Sequence, residues 1–168
     1  MPEPLENKHT MKYISHRGNI SGPSTKENHP DQIVECIRKG YDVEIDIRYI
    51  NYNIYLGHDE PTYKIDSFFL EKYSNFLWIH CKDLSSLHFC LSQKNSLNFF
   101  WHDKDCHTLT SQKHIWSYPG QQITDRSICV LPEQYDNIII NQEFNSYGIC
   151  SDYIKKYYAL TQRRNELH

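Results

Sequence analysis

Residues 41–60 constrain the fold of this chain more than any other stretch. Within them, residues 43–47 alternate apolar and acidic side chains with the period of a β-strand, which places Glu44 and Asp46 on one face. Two interpretations of this acidic pair are open. It is either the solvated face of an ordinary strand or a pair of carboxylates that bind a cation.

The second half of the same stretch predicts a hairpin. A polar turn around Asn51 is followed by a short apolar run at residues 53–56, which ends in Gly57, His58 and Asp59. A hairpin at this point would return the His58 imidazole towards the acidic pair.

The region upstream predicts a βαβ unit that leads into this strand. A short strand at residues 13–16 runs into His16, Arg17 and Gly18, and a helical pattern over residues 28–40 follows, with Gly40 as its stop. Glu27, at the start of that helix, has two interpretations: a capping residue that favours the helix dipole, or a residue beside a metal or substrate.

Four short motifs in order carry a resemblance to a known family: His16-Arg17-Gly18, Glu27-Asn28, Glu44-x-Asp46 and His58-Asp59. Their order and spacing resemble those of the glycerophosphodiester phosphodiesterase family, in the phospholipase-C-like phosphodiesterase superfamily. The resemblance covers residues 13–82 well and residues 83–153 thinly. It implies a (β/α)8 barrel of the TIM type.

The resemblance also implies roles for individual residues. His16 and His58 would be the acid–base pair, Arg17 would bind the substrate phosphate, and Glu44 and Asp46 would bind a divalent metal ion.

Residues 76–82 predict a third parallel strand, because they form a short and largely apolar run. In the family the corresponding strand commonly carries a Glu followed two residues later by a Lys. Lys82 keeps the lysine as a phosphate ligand, whereas His80 stands in place of the acid. His80 is either a metal ligand or a hydrogen-bonded structural residue. As a ligand it would favour magnesium or manganese over calcium, since calcium prefers six to eight oxygen ligands.

The length of the chain predicts a reduced barrel. At 168 residues it is short, because a complete (β/α)8 barrel takes roughly 250 residues. We expect an α/β fold with seven or eight mostly parallel strands and with shortened or missing helices in the second half. The remaining predicted elements are helices at 67–73 and 83–90, a helical turn at 108–112, and strands at 98–101, 114–117, 128–131 and 147–150, with 137–140 ambiguous between strand and helix.

Several residues beyond the motifs are candidates for the rim of the site. His102 follows a predicted strand, and its alternative is an ordinary polar loop residue. Trp116 and Trp101 lie at strand ends and could form a wall against the alcohol portion of a substrate. Together with Glu27, His102 and Trp116 complete the predicted site.

Composition limits the classes of partner and compartment. The net charge of −3 and the scattered basic residues argue against nucleic acid binding. No apolar run approaches the roughly 18 residues of a membrane span, and no signal-peptide pattern is present, so we expect a cytoplasmic protein with a small-molecule substrate. The six cysteines lack CxxC spacing and fall partly in apolar runs, which favours buried free thiols over disulfides.

We expect a mobile N-terminal extension at 1–10, a single phosphodiesterase barrel domain at 11–160 and a solvated C-terminal tail at 161–168. The predicted function is metal-dependent hydrolysis of a glycerophosphodiester to glycerol phosphate and an alcohol by two histidines. The alternatives are a non-catalytic module that binds phosphorylated ligands, and a barrel phosphodiesterase for a phosphoinositide or a polymer-linked phosphodiester.

Overall fold

The structure, a computed structural model, describes residues 10–94, 97–135 and 145–165, which form ten strands and four α-helices. The strands are β1 (Lys12–His16), β2 (Asp42–Ile50), β3 (Asn53–Leu56), β4 (Tyr63–Ile65), β5 (Leu77–Cys81), β6 (Phe99–Phe100), β7 (His107–Leu109), β8 (Ile115–Ser117), β9 (Ser127–Val130) and β10 (Gly148–Ser151). The helices are α1 (Pro30–Arg38), α2 (Ser67–Tyr73), α3 (Leu84–Ser92) and α4 (Ile154–Asn165).

All ten strands belong to one mostly parallel sheet. Parallel pairing joins seven of them in the order β6, β5, β2, β1, β10, β9, β8. Strands β3 and β4 form an antiparallel excursion from the end of β2, and β7 pairs antiparallel with β8. The fold is therefore mixed α/β with a curled, mostly parallel sheet, and the predicted hairpin after β2 is confirmed.

Local sequence accounts for the helix boundaries. The His29 side chain caps the start of α1, Pro30 occupies its first turn, and Gly40 follows its end with a φ of 88°. Asp83 and Ser86 form a reciprocal capping box at the start of α3.

Apolar side chains pack on both faces of the sheet. On the outer face, Val43, Ile45 and Ile47 of β2 pack against α1, α2 and α3. The inner face, within the curl of the sheet, is filled by side chains from six strands: Ile14, Trp78, Phe100, Trp116, Ile128, Val130 and Cys150. The alternation of β2 therefore sends its aliphatic residues outwards and its acidic residues inwards.

Helices are few in the second half of the described chain. Between β6 and β10 the described residues include no α-helix, and a short 3₁₀ helix, Pro132–Tyr135, follows β9. The helical turn predicted at 108–112 is wrong, because part of this stretch belongs to β7 and its Ser111 N–H donates to the Phe99 carbonyl at 2.8 Å. The ambiguous segment 137–140 lies outside the described residues.

The C-terminal boundary differs from the prediction, which placed a solvated tail at 161–168. Helix α4 continues past residue 160, and Thr161 is buried and shares a hydrogen bond with the Tyr13 hydroxyl. The predicted N-terminal extension lies outside the described residues except for Thr10. All six cysteines are free and five are buried, as expected, whereas Cys106 is exposed. None of the helices in the described ranges has both the length and the apolar character needed to cross a bilayer.

Candidate functional site

The predicted site residues meet at one edge of the sheet. Parallel strands present their carboxyl ends on the same side, and His16, Asp46 and His80 come from three neighbouring strands, β1, β2 and β5. A cavity of about 520 Å³ opens there. Its lining includes nine of the residues predicted for the site or its rim and several unpredicted ones: His16, Arg17, Glu44, His58, His80, Cys81, Lys82, Trp101, His102, Asp103, Trp116, Tyr118, Pro119, Val130 and Leu131.

The acidic pair of β2 is buried. Glu44 is 2% exposed and Asp46 is fully buried, so these carboxylates are not the solvated face of the strand. Burial of two ionisable acids is costly unless cations or hydrogen-bond donors lie next to them. The surroundings of the pair therefore decide what it can do.

His80 lies directly beside the acidic pair. Strands β2 and β5 pair with Asp46 opposite His80, and Nδ1 of His80 is 3.1 Å from Oδ1 of Asp46 and 3.8 Å from Oε1 of Glu44. Each of the three residues offers one ligand atom, and these atoms lie within 4.8 Å of one another. The three residues, called the acidic–histidine cluster below, could hold a metal ion.

The hydrogen bonds of Asp46 fit a metal ligand. Its Oδ2 accepts a hydrogen bond from the Asn28 side-chain amide at 2.9 Å and lies 3.2 Å from Nε of Arg17. Its Oδ1 is buried without a hydrogen bond that meets distance and angle limits, and it lies 3.1 Å from Nδ1 of His80 and 3.7 Å from Nζ of Lys82. One oxygen is thus occupied by protein donors, and the other faces the acidic–histidine cluster free to bind a cation.

Charge is unevenly distributed over the two carboxylates. Burial raises the pKa of Glu44 to about 7, and the neighbouring Asp46 charge adds to this. Burial acts in the same direction on Asp46, but His80, Arg17 and Asn28 outweigh it and hold the pKa of Asp46 below its usual range. Without a cation, Glu44 is therefore the carboxylate that takes up a proton first.

His16 is held by an aspartate from the far end of the chain. Nδ1 of His16 is 2.7 Å from Oδ1 of Asp152, and its Nε2 is 3.9 Å from Oε2 of Glu44. Burial lowers the pKa of His16, but the hydrogen bond to Asp152 and the Glu44 charge outweigh it and raise that pKa. Asp152 thus fixes the ring so that Nε2 points towards Glu44, and His16 can gain or lose a proton there.

Arg17 is tied to the acidic groups by both backbone and side chain. Its N–H donates to Oε2 of Glu44 at 3.2 Å, and its guanidinium lies 3.1 Å from Glu27 and 3.2 Å from Asp46. Its φ of 52° lies in the left-handed region, which is unfavourable for a residue with a side chain. Glu27 does not line the cavity. Its contact with the site is therefore indirect, through the Arg17 guanidinium.

His58 enters the cavity from the hairpin excursion. Its ring Nδ1 lies 2.7 Å from Asp59, and its carbonyl accepts a hydrogen bond from Arg48 at 2.6 Å. Gly57 precedes His58 and has a φ of 145°, and the Gly57 N–H donates to the Asp46 carbonyl at 3.1 Å. The hairpin thus places His58 in the cavity that His16, Glu44 and His80 also line.

Lys82 follows β5 and lies beside the acidic–histidine cluster. Its Nζ is 3.7 Å from Oδ1 of Asp46, and its side chain lines the cavity together with Arg17. The two cations thus lie next to the carboxylates, where they can also meet a bound phosphate.

Aromatic rings form the other wall of the cavity. The His102 ring packs against His80 at 4.9 Å and against Tyr118 at 4.0 Å between ring centroids. Burial, His80 and Lys82 lower the pKa of His102 to about 4. Trp116, predicted at the rim, is only 2% exposed and belongs mainly to the inner core, whereas Trp101 is 47% exposed at the mouth.

Sequence reasoning assigned no role to three residues that shape the site. Asp152 directly follows the closing strand and Asn28 belongs to a motif, but nothing local in the sequence links either residue to His16 or Asp46. Tyr118 carried no signal, since it is one of thirteen tyrosines. No protein-family profile, curated protein or solved structure matches this chain, so the assignment of a function depends on the site itself.

Proposed function

We propose that this protein is a metal-dependent phosphodiester hydrolase of the glycerophosphodiester phosphodiesterase type. The observation that carries the proposal is the convergence of His16, His58, Arg17, Lys82 and the acidic–histidine cluster on a single cavity. A phosphodiester needs positive charge on its non-bridging oxygens, a base for the attacking hydroxyl and an acid for the leaving oxygen. This cavity contains residues suited to each of these tasks.

We further propose that the curled sheet is a reduced (β/α) barrel. Seven strands are joined by parallel pairing, and Ser111, just after β7, hydrogen-bonds to Phe99 of β6 through its N–H and its hydroxyl. These bonds support closure of the sheet, with β7 between β8 and β6. The site would then lie at the carboxyl end of the strands, where barrel enzymes carry their active sites.

Glu44, Asp46 and His80 would hold a divalent ion, and magnesium or manganese suits this set of two carboxylates and one imidazole. Such an ion, when bound, neutralises charge on the phosphate oxygens. The unpaired Oδ1 of Asp46 supports the assignment, because a buried carboxylate oxygen without a donor is destabilising on its own.

The two histidines would move the protons. One ring takes the proton of the attacking hydroxyl, which belongs to water or to a neighbouring hydroxyl of the substrate glycerol. The other ring gives a proton to the departing alcohol oxygen. His16 is oriented for either role by Asp152, while His58 reaches the same cavity from the hairpin.

Arg17 and Lys82 would bind the phosphate. Both side chains line the cavity, and both lie within 4 Å of Asp46, so they are fixed before a substrate arrives. A phosphate oxygen that meets these cations in a partly dry cavity is stabilised more strongly than in water. The overall reaction consumes one water molecule and releases glycerol phosphate and an alcohol.

The experiment that tests this function is product release from a set of glycerophosphodiesters, with chelator and with added magnesium, manganese or calcium. We expect glycerol phosphate and free alcohol to appear only with a divalent ion, and His16→Ala to abolish their release. Absence of release from every substrate with every ion would refute the hydrolase proposal.

A second candidate function is binding of phosphorylated ligands without turnover. The observation that favours it is His80, a neutral imidazole in the place where the resembling family carries a carboxylate. In that case the parent protein and His16→Ala would both bind glycerol phosphate in calorimetry, and neither would release product. The protein would instead be a phosphodiesterase for another substrate if it hydrolysed a phosphoinositide or a polymer-linked phosphodiester but not simple glycerophosphodiesters. The catalytic residues would then be the same, and the cavity wall would bind a different alcohol.

A further inference from the structure

Asn19 closes a tight turn that carries two of the proposed site residues. Its backbone N–H donates to the His16 carbonyl at 2.9 Å, and the two residues between them, Arg17 and Gly18, have positive φ angles of 52° and 84°. Positive φ at both central positions is typical of a type I′ turn, which reverses the chain sharply. Asn19 is buried at this reversal, with 1% of its surface exposed.

The Asn19 amide holds two carboxylates at once. Its Nδ2 donates to Oε1 of Glu27 and to Oδ1 of Asp152, each at 2.8 Å. A primary amide nitrogen carries two hydrogens, so both bonds form together. Hydrogen bonds to ionised acceptors are stronger than those between neutral groups. One side chain therefore fixes two acids that are far apart in the sequence.

Each of these carboxylates binds a different residue of the proposed mechanism. Oε2 of Glu27 lies 3.1 Å from Nη1 of Arg17, the proposed phosphate ligand. Oδ1 of Asp152 lies 2.7 Å from Nδ1 of His16, a proposed proton-transfer residue. Asn19 thus lies between the residue that would bind the phosphate and a residue that would move a proton.

The oxygen of the same amide indicates that the two N–H donors are what this position requires. Oδ1 of Asn19 is buried and makes no hydrogen bond within the described part of the chain. A buried acceptor without a donor is destabilising, yet the opposite orientation of the amide would bring this oxygen against two carboxylates. An apolar residue of similar size would avoid the unpaired oxygen but would leave both acids without a donor.

We infer that Asn19 is a positioning residue that couples the orientation of the His16 ring to that of the Arg17 guanidinium. This inference rests on the proposed function and adds to it a residue that does not line the cavity. A change at either carboxylate should then be felt at both ends of the network, because both share one amide nitrogen.

Asn19→Leu tests the inference, because leucine has a similar size and no donor. We expect kcat to fall and the affinity for inorganic phosphate, measured by calorimetry, to weaken, each by roughly 10-fold. Asn98→Leu is the matched control. Asn98 is also buried with an unpaired Oδ1, but it directly precedes β6 and so lies at the amino end of the strands, away from the cavity. The control should leave kcat and phosphate affinity unchanged.

Two background variants separate positioning from a general loss of stability. In the Glu27→Ala background, Asn19→Leu should lower kcat but should weaken phosphate binding no further. In the Asp152→Ala background, the same change should weaken phosphate binding but should lower kcat no further. If Asn19→Leu causes its full loss of both quantities in both backgrounds, Asn19 supports the fold without coupling the two residues.

The His16 ring provides a measurement that does not depend on turnover. In long-range ¹H–¹⁵N NMR spectra, Glu27→Ala should shift the Nδ1 signal of His16, since it frees one hydrogen of the Asn19 amide and loosens the hold on Asp152. If the parent hydrolyses no diester but this shift is seen, the hydrolase proposal fails and the coupling stands. An unchanged Nδ1 signal in Glu27→Ala would refute the coupling, even if Asn19→Leu failed to fold.

Discussion

Nδ1 of His16 lies 2.7 Å from Oδ1 of Asp152, although 136 residues separate them in the chain. Strands β1 and β10 pair in parallel and end side by side. His16 is the last residue of β1 and Asp152 directly follows β10, so the pairing brings the two residues together. Asp152 is itself fixed by Glu133, which accepts its N–H at 2.9 Å, and by the Asn19 amide at 2.8 Å. His16 is thus oriented by a network that spans the whole described chain.

Asp152→Asn should lower both the pKa of His16 and the activity. An amide at this position carries no charge, so it no longer favours the imidazolium, and it no longer enforces one ring tautomer. We expect the His16 pKa to fall in an NMR titration and kcat to fall by roughly 10²- to 10⁴-fold. An unchanged His16 titration would contradict the orientation that we assign to Asp152.

The same pair predicts how stability depends on pH. The pKa of Asp152 is lowered, because His16, Asn19 and Arg17 outweigh its burial, so its contribution is lost as pH falls below the ordinary value of about 3.9. The pKa of His16 is raised, so its contribution is complete below about 6.5 and is lost as pH rises through the raised value. The difference in unfolding free energy between the parent and Asp152→Asn should therefore be largest between about pH 4 and 6.5. Urea unfolding at pH 3, 5 and 8 would measure it.

His16→Ala and His58→Ala should each remove most turnover while leaving the fold intact. General acid–base groups contribute roughly 10²- to 10⁴-fold, and both side chains line the cavity, outside the apolar clusters. The pH profile of the parent should be bell-shaped, because one ring must be neutral and the other protonated. Turnover of His58→Ala within a few-fold of the parent would remove His58 from the mechanism.

Gly57→Ala tests how the hairpin positions His58. A Cβ at Gly57 would collide with the Glu60 carbonyl, and the φ of 145° adds strain of roughly 1–3 kcal/mol. Gly40→Ala is the matched control, since Gly40 also has a positive φ, of 88°, but its Cβ would meet nothing within 4 Å. We expect Gly57→Ala to lower stability more than Gly40→Ala and to lower kcat as well. Equal effects in urea unfolding and in turnover would show that the collision is relieved locally.

Much of the fold and site followed from local patterns in the sequence. Strand β2 and the hairpin were readable because apolar and acidic residues alternate with period two before a polar turn. The third parallel strand was predicted from a short apolar run and is confirmed as β5, and its pairing with β2 places His80 opposite Asp46. These features depend on residues close in the chain, where side-chain periodicity reports directly on which face is buried.

Long-range features could not be read in the same way. The partners of Asp152 and Asn28 depend on tertiary packing. Asn28 has a φ of 61°, and its side chain holds Asp46 twice, because its Nδ2 donates to Oδ2 of Asp46 and its Oδ1 accepts from the Asp46 backbone N–H, each at 2.9 Å. Tyr118 reaches the cavity because it follows β8, which pairs in parallel with β9 and so ends at the same edge of the sheet. Trp116 was placed at the rim, yet its neighbours on β5 and β6 enclose it.

Glu44→Gln and Asp46→Asn should weaken metal binding and activity together. Each change removes one negative ligand, and calorimetry with manganese should show a lower affinity for both variants. Without metal, Glu44→Gln should unfold at a higher urea concentration than the parent, because burial of two adjacent carboxylates opposes folding. Unchanged manganese affinity would exclude these two residues as ligands.

His80→Glu should shift the metal preference towards calcium. In the parent, two carboxylates and one imidazole surround the site, and Nδ1 of His80 lies 3.1 Å from Asp46. Calcium prefers more oxygen ligands, whereas imidazole suits transition ions, so magnesium or manganese should support the parent better than calcium. A third carboxylate adds oxygen ligands and negative charge, and we expect the ratio of calcium-supported to manganese-supported activity to rise in the variant.

The matched control for this change is His88→Glu, which adds the same charge at an exposed position on α3. It should leave the ratio of the two metal-supported activities unaltered, because a solvated charge outside the cavity is screened from the site. Direct calorimetry of calcium and manganese binding separates affinity from turnover. If calcium is the best activator of the parent, or if His80→Glu leaves both affinities unchanged, the His80 ring is not a ligand and serves only to pack against Phe100 and His102.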